Sequence, residues 1–142
     1  RLGAKLVAVC PEINEAALDL ELLREAEASG NFRLVKNPSV GELRDEIARA
    51  NVVYTDTWVD MEDFADESKA RVVKERCDRL RVFQLNEENY GKSNAYVLHC
   101  MPVHPGYEID HALLSHENSR ILQQADNRTH AQKGALCHLF SG

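Results

Sequence analysis

The chain has 142 residues, 44% of them hydrophobic and 28% charged, with 17 Lys and Arg against 23 Asp and Glu for a formal net charge of −6. That is the composition of one soluble globular domain: 7 Gly and 4 Pro are too few for a low-complexity chain, and no apolar run approaches the ~20 residues that cross a bilayer. An acidic balance with no Lys/Arg cluster argues against a phosphate-tracking surface, so neither nucleic acid nor membrane is expected as a partner.

Leu6-Val7-Ala8-Val9-Cys10 is a short apolar run closed by Pro11 and reads as a buried strand. Ile13, Ala16, Ala17, Leu20 and Leu23 then recur at helical spacing, and Ser29-Gly30 ends the helix they define. Arg33-Leu34-Val35 is a second strand. Ser39-Val40-Gly41-Glu42 fits a capping box, in which Ser39 and Glu42 satisfy each other's free amides, and Val40, Leu43, Ile47 and Ala50 give the next helix an apolar face. Strand Val52 to Thr55, a helix around Lys69 to Leu80 and strand Val82-Phe83 follow. After these come strand Tyr96 to His99, a short helix near Asp110 to Ser115, strand Ile121-Leu122 and a last helix from about Asn127 to Phe140.

Apolar runs too uniform to alternate, each followed by a helix, imply parallel strands covered on both faces. The fold class is therefore α/β, a doubly wound parallel sheet. In such sheets the ligand crevice lies outside the carboxyl ends of the strands. Those ends carry Cys10-Pro11, Asp56, His99-Cys100-Met101-Pro102 and the stretch from Gln123 to Arg128. There is no internal repeat, no linker and no Gly-rich phosphate loop, since Gly41 and Gly91 stand alone. The chain opens on Arg1 without an initiator Met or a leader-like apolar stretch, which reads as a trimmed chain. Cys10, Cys77, Cys100 and Cys137 match neither a metal pattern nor a disulfide framework, and read as reduced thiols in a cytoplasmic protein.

Three groupings can carry chemistry. Asp56, Asp60, Glu62, Asp63, Asp66 and Glu67 fall in twelve residues without a Lys or Arg. Most of them read as solvated carboxylates favouring the start of the helix near Ser68. Asp56 differs, because it ends an apolar strand where the crevice should lie. In the second grouping, a strand runs through His99 into Cys100, Met101 and Pro102. Proline at a strand exit fixes a turn and aims the preceding carbonyl and thiol into the crevice. Neighbouring strand side chains point to opposite faces, so His99 and Cys100 do not make a nucleophile–base pair. The six histidines match no tight metal-ligand spacing, so no metal is expected. The third is Asp126-Asn127-Arg128-Thr129-His130-Ala131-Gln132, where an Arg opening a helix suits either an anionic ligand or a salt bridge.

Together these segments resemble the C-terminal, amino-acid-binding domain of the aspartate/ornithine carbamoyltransferase superfamily, on the ornithine side. Val52-Val53-Tyr54-Thr55-Asp56-Thr57-Trp58-Val59 is similar to the family's strand and D-x-W stretch, and Phe83-Gln84-Leu85-Asn86 to its Q-x-N segment. His99-Cys100-Met101-Pro102 resembles the H-C-L-P signature, and Asp126 through Lys133 the E-N-R-x-H-A-Q-K segment. The resemblance implies a Rossmann-like sheet and transfer of a carbamoyl group from carbamoyl phosphate to the δ-amine of ornithine, giving citrulline and phosphate without metal or organic cofactor, in a homo-oligomer that by family habit is a trimer. By position, it implies Cys100 and Arg128 as the catalytic residues, with Arg128 holding carbamoyl phosphate and Cys100 and the Met101 carbonyl lining the reacting groups. It implies substrate contacts from Asp56, Asp60, Met61, His99, Met101 and Pro102, with Asp56 at the amino acid end of the acceptor.

Three positions depart from the pattern. Asp60-Met61-Glu62 stands where ornithine transferases have Ser-Met-Gly, Pro105 replaces a basic residue, and Met101 replaces Leu. The first puts two carboxylates into the acceptor loop, which leaves open another amine such as putrescine, lysine or an acylated ornithine, or a non-catalytic amino-acid-binding module. Set against the family, the chain is expected to be a single domain, residues 1–142, that lacks the N-terminal carbamoyl-phosphate domain with its Ser-x-Arg-Thr loop and the first strand of its own domain. Alone, such a piece is expected to be inactive and, with open sheet edges, to self-associate.

Overall fold

The computed structural model describes residues 3–141 and divides the chain into two compact units, 1–46 and 47–142. The first unit holds strand β1 (Leu6–Cys10), helix α1 (Leu20–Ala28) and strand β2 (Phe32–Lys36), and ends inside helix α2 (Val40–Arg49). β1 and β2 run parallel, with Leu6 opposite Phe32 and Cys10 opposite Lys36. The single helix expected from Ile13 to Leu23 is in fact two pieces. Asn14 accepts the Ala16 N–H and opens a 3-10 turn at Glu15–Ala17, and Asp19 accepts the Glu21 and Leu22 N–H groups at 3.0 Å and opens α1. Two Asx caps five residues apart start two helices, and the apolar spacing spans the break. The capping box is present as read. Ser39 N–H donates to a Glu42 carboxylate oxygen at 2.8 Å and Glu42 N–H donates to Ser39 Oγ at 3.2 Å.

The second unit is built on strands β3 (Val52–Thr55) and β4 (Tyr96–His99), again parallel, with Val52 opposite Tyr96 and Thr55 opposite His99. Between them lie α3 (Met61–Ala65), α4 (Ala70–Leu80) and α5 (Glu87–Tyr90); after them come α6 (His111–Leu114) and α7 (Ile121–Phe140). The class expected from sequence, α/β with parallel strands joined through helices, is the one observed. The core of this unit gathers Val97, Ile109, Leu113 and Ile121, each at most 3% exposed.

Two expected strands are absent. Arg81–Phe83 is a 3-10 turn, and Asn89 donates its amide protons to the carbonyls of Val82 at 3.0 Å and Gln84 at 2.7 Å, so a side chain satisfies backbone that a strand would have paired. Ile121-Leu122 is the first turn of α7. The backbone pairs with β4 around Ser119, where Val97 N–H donates to Asn118 O and Arg120 N–H to Val97 O, and then turns helical. Ile121 is buried and Leu122 is 75% exposed, the one-faced burial of a helix and not the two-faced burial of a central strand. The last helix therefore starts six residues earlier than its polar segment suggested. No described helix is long and apolar enough to cross a membrane.

The acidic stretch is partly helical. Asp60 precedes α3 and its carbonyl accepts the Asp63 and Phe64 N–H groups, while Asp63 pairs with Lys69. Asp66 accepts from the Ser68 N–H at 2.9 Å and the Ser68 hydroxyl at 2.6 Å, bonds that hold its carboxyl below the usual range and cap the turn leading into α4. Of these three carboxylates only that of Asp66 caps a helix start; Asp60 makes no side-chain cap bond and Asp63 is taken up by Lys69.

Candidate active site at the ends of β3 and β4

Parallel register fixes the centre of the site. Thr55 and His99 are the last pair of the β3–β4 ladder, so the next residues, Asp56 and Cys100, leave the sheet side by side. The Cys100 thiol donates to Asp56 Oδ1 at 2.7 Å, and the same oxygen accepts the Thr57 N–H at 2.7 Å. Burial first, and then this hydrogen bond and the Asp56 charge, push the Cys100 thiol above its ordinary value. The shift favours the neutral thiol, which donates to Asp56.

Beyond Cys100 the backbone reverses sharply. Met101 sits at φ +59°, a left-handed conformation that costs a side-chain-bearing residue about 1–2 kcal/mol, and the Met101–Pro102 peptide is cis. Such a local cost persists only where the surroundings over-determine it. Two bonds here involve His99. Its N–H donates to Gln124 Oε1 at 3.0 Å, and its ring Nδ1 accepts the Met101 N–H at 2.9 Å.

Gln124 is the first-turn residue by which α7 grips the strand ends. Besides accepting from His99 it donates through Nε2 to the Tyr54 hydroxyl at 3.3 Å, so it spans both strands. One turn further along α7 is Arg128, on the same face by helical spacing. An open cleft of about 440 Å³ results, lined by Tyr54, Cys100, Met101, Gln124, Asn127 and Arg128. A larger groove of about 660 Å³ lies against Trp58, Phe64, Val73, Cys77 and Tyr107, but none of the strand-end residues lines it. In the smaller cleft convergent polar groups meet at the carboxyl ends of parallel strands, the usual place of a ligand site in such sheets.

The structure brings together Asp56, His99, Cys100, Met101 and Arg128 and leaves others apart. Arg128 is the eighth residue of α7, not its opening one, so the helix macrodipole, which acts within the first turn, does not explain it. Its place in the cleft does. Asp60 and the largely exposed Met61 do not line the cleft. Pro102 is exposed and does not line it, and His99 lines it although only 1% exposed. Sequence reading did not single out Tyr54, Gln124 or Glu108. For Gln124 a signal existed, its four-residue spacing from Arg128. All four cysteines are unpaired, and among the described residues no three His, Cys, Asp or Glu side chains gather as metal ligands.

The model of the Asp/Orn binding domain of aspartate/ornithine carbamoyltransferase matches residues 1–139. The chain belongs to this family. The ornithine carbamoyltransferase of Methanopyrus kandleri is 42% identical over 84% of the chain, and the anabolic ornithine carbamoyltransferase of Pyrococcus furiosus is 32% identical over 100% of the chain. The solved structure of the Pyrococcus furiosus ornithine carbamoyltransferase superposes with a TM-score of 0.71 at 30% identity, covering 96% of this chain. The chain spans less than half of these proteins, 36% of the first and 43% of the second. An acetylornithine transcarbamylase bound to acetylcitrulline, 23% identical with a TM-score of 0.69, shares the fold.

Proposed function

We propose that residues 1–142 are the acceptor-binding domain of a cytoplasmic, trimeric carbamoyltransferase that moves the carbamoyl group of carbamoyl phosphate to the δ-amine of ornithine. The observation that carries this reading is the shared placement of Cys100 and Arg128 in one cleft, with Asp56 hydrogen-bonded to Cys100 at its edge. Ornithine carbamoyltransferase relatives of the chain support the choice of reaction and acceptor.

The chemistry requires three things of the protein. A neutral amine must lie against the carbamoyl carbon, the phosphate must leave as an anion, and the tetrahedral intermediate between must be stabilised. The amine lone pair forms the new N–C bond to give the tetrahedral intermediate, which collapses as the C–O bond to phosphate breaks and the departing phosphate takes up the one proton that the amine gives up. Arg128 supplies a fixed guanidinium that pairs with phosphate oxygens and with the charge that develops on them. Asp56 is the strand-end carboxylate for the cationic amino-acid end of the acceptor. Cys100, kept protonated by burial and by Asp56, donates and packs without forming a covalent intermediate, so transfer is direct. The preset turn at Met101 aligns the carbamoyl group before reaction. In this reading the remaining phosphate contacts come from the second domain of the family's architecture, and the 142-residue chain is inactive alone.

Citrulline formation by the full-length protein, measured beside Arg128→Ala, tests the proposal. We expect kcat/KM to fall on the order of 10²- to 10³-fold in the variant. Turnover of putrescine, lysine or N-acetylornithine in place of ornithine would move the acceptor and keep the reaction. No turnover with any of these amines would overturn the reaction itself.

A further inference from the structure

Beneath the cleft lies a buried carboxylate that the reaction does not use. Glu108 is 1% exposed and His99 is 1% exposed. One oxygen of Glu108, Oε1, meets His99 Nε2 at 3.2 Å and accepts the His104 backbone N–H at 2.6 Å. That single atom therefore ties the first and last residues of the segment 99–104, the segment that carries Cys100, Met101 and Pro102. The Glu108 backbone is itself pinned, since Leu85 N–H donates to Glu108 O at 2.9 Å and Asp110 N–H to Leu85 O at 3.0 Å. Phe64 stacks on the His104 ring with centroids 4.3 Å apart, which holds the far end of the segment.

The tautomer of His99 follows from its partners. Nδ1 accepts a backbone N–H, so it carries a lone pair, and the ring proton is on Nε2, pointing at the Glu108 carboxylate. A chain of bonds thus runs from Glu108 through the imidazole to the Met101 amide. We propose that Glu108 and His99 are positioning residues of the carbamoyl-transfer site. Glu108 fixes the Nε2–H tautomer of His99, His99 Nδ1 then fixes the left-handed Met101 backbone, and Met101 and Cys100 are held where the carbamoyl group reacts. This rests on the reaction proposed above. It explains why a carboxyl group stays in the interior, where burying one costs several kcal/mol unless hydrogen bonds offset it, and why Met101 keeps a conformation favoured by glycine. Its other oxygen, Oε2, lies 3.9 Å from His104 Nδ1, and neither atom has a hydrogen-bond partner, so the clamp acts through Oε1 alone.

The test combines 15N-histidine NMR with citrulline kinetics on the full-length protein. Unsubstituted, His99 is expected to show a protonated Nε2 and an unprotonated Nδ1. Glu108→Ala is expected to lose that single tautomer and to lower kcat about 10- to 100-fold, with the carbamoyl phosphate KM held within about twofold. Glu108→Gln keeps an oxygen for both donors and is expected to restore tautomer and rate to within about threefold of the unsubstituted protein. If Glu108→Ala does not fold, His99→Gln serves in its place. It retains an amide for Glu108 but no acceptor at the Nδ1 position, and the same kcat loss is expected. A protonated Nδ1, or an unchanged kcat in Glu108→Ala or His99→Gln, overturns the relay while leaving the reaction standing. A protein that carbamoylates none of ornithine, putrescine, lysine or N-acetylornithine before any substitution overturns the reaction, and the positioning role with it.

Discussion

Both parallel strand pairs end in a cysteine close to a proline, and only one of these ends becomes a candidate site. At the end of β1, Cys10 is in register with Lys36, its carbonyl accepts the Asn37 N–H at 3.1 Å, and the left-handed residue is Asn37 on the neighbouring strand's exit, at φ +48°. Its thiol is pushed up by burial alone. At the end of β4, Cys100 leaves the sheet beside Asp56, its thiol is pushed up by burial and by that carboxylate, and the backbone turns at once through a positive φ at Met101. Cysteine and proline at a strand exit do not make a site. What makes one is the residue that the neighbouring strand presents in register, together with the helix that delivers an amide and a cation to the same end.

The largest contrast expected between the two units is in stability. Strand residues of β1 and β2 are half-buried or exposed, whereas Val97 and His99 in β4 and Leu113 in α6 are buried completely or nearly so. Leu113→Ala should cost about 2–5 kcal/mol in urea unfolding, the range for truncating a buried leucine. Leu34→Ala, at a half-buried position of β2, should cost about 1–2 kcal/mol. Equal losses would show that the two pairs share one level of packing.

A smaller effect sharpens the contrast between the two thiols. Because the Cys100 thiol is raised, its reactive thiolate appears only above the ordinary thiol range, and iodoacetamide should label it slowly at pH 8. Asp56→Asn removes the negative charge and lowers that value, so labelling should shift to lower pH, with about a tenfold gain in rate for each pKa unit recovered. Cys10, raised by burial alone, should not respond. Peptide mapping by mass spectrometry reads both cysteines in one digest. A parallel change at Cys10 would show a general loosening and not a local charge effect.

How much of this was legible beforehand depended on whether the signal was local. β1, β3 and β4 could be placed because each is a short apolar run with a stop, and α2 because a capping box is a four-residue pattern. Val82-Phe83 misled because its backbone is satisfied by Asn89, a side chain contributed from α5. Ile121-Leu122 misled because two apolar residues do not show whether one face or both will be buried. Asp56 and Cys100 could each be flagged as strand ends, but their hydrogen bond depends on the parallel register, which no single strand reveals. Glu108 was the hardest to see. It lies between Tyr107 and Ile109 with no motif around it, and its importance is visible only once His99 and His104 are seen to meet on one oxygen.

The smallest expected effect lies in the first unit, at the start of α2. Ser39→Ala removes the hydroxyl that accepts the Glu42 N–H, and should lower stability by about 1 kcal/mol at neutral pH, the usual cost of losing a helix cap. Hydrogen bonds from the Ser39 backbone and hydroxyl hold the Glu42 carboxyl below its ordinary value of 4.5. The folded state therefore keeps the carboxylate ionised at a pH where the unfolded chain has begun to protonate it. The contribution is present in full above that ordinary value and is lost as pH falls through the lower, folded one. Glu42→Gln should remove this part of the acid slope while keeping an oxygen that can accept. Urea unfolding of both variants from neutral pH to below 4.5 separates the hydroxyl from the charge. A slope unchanged by Glu42→Gln would mean that the box acts through hydrogen-bond geometry alone, which would make the start of α2 as indifferent to charge as the exit of β1.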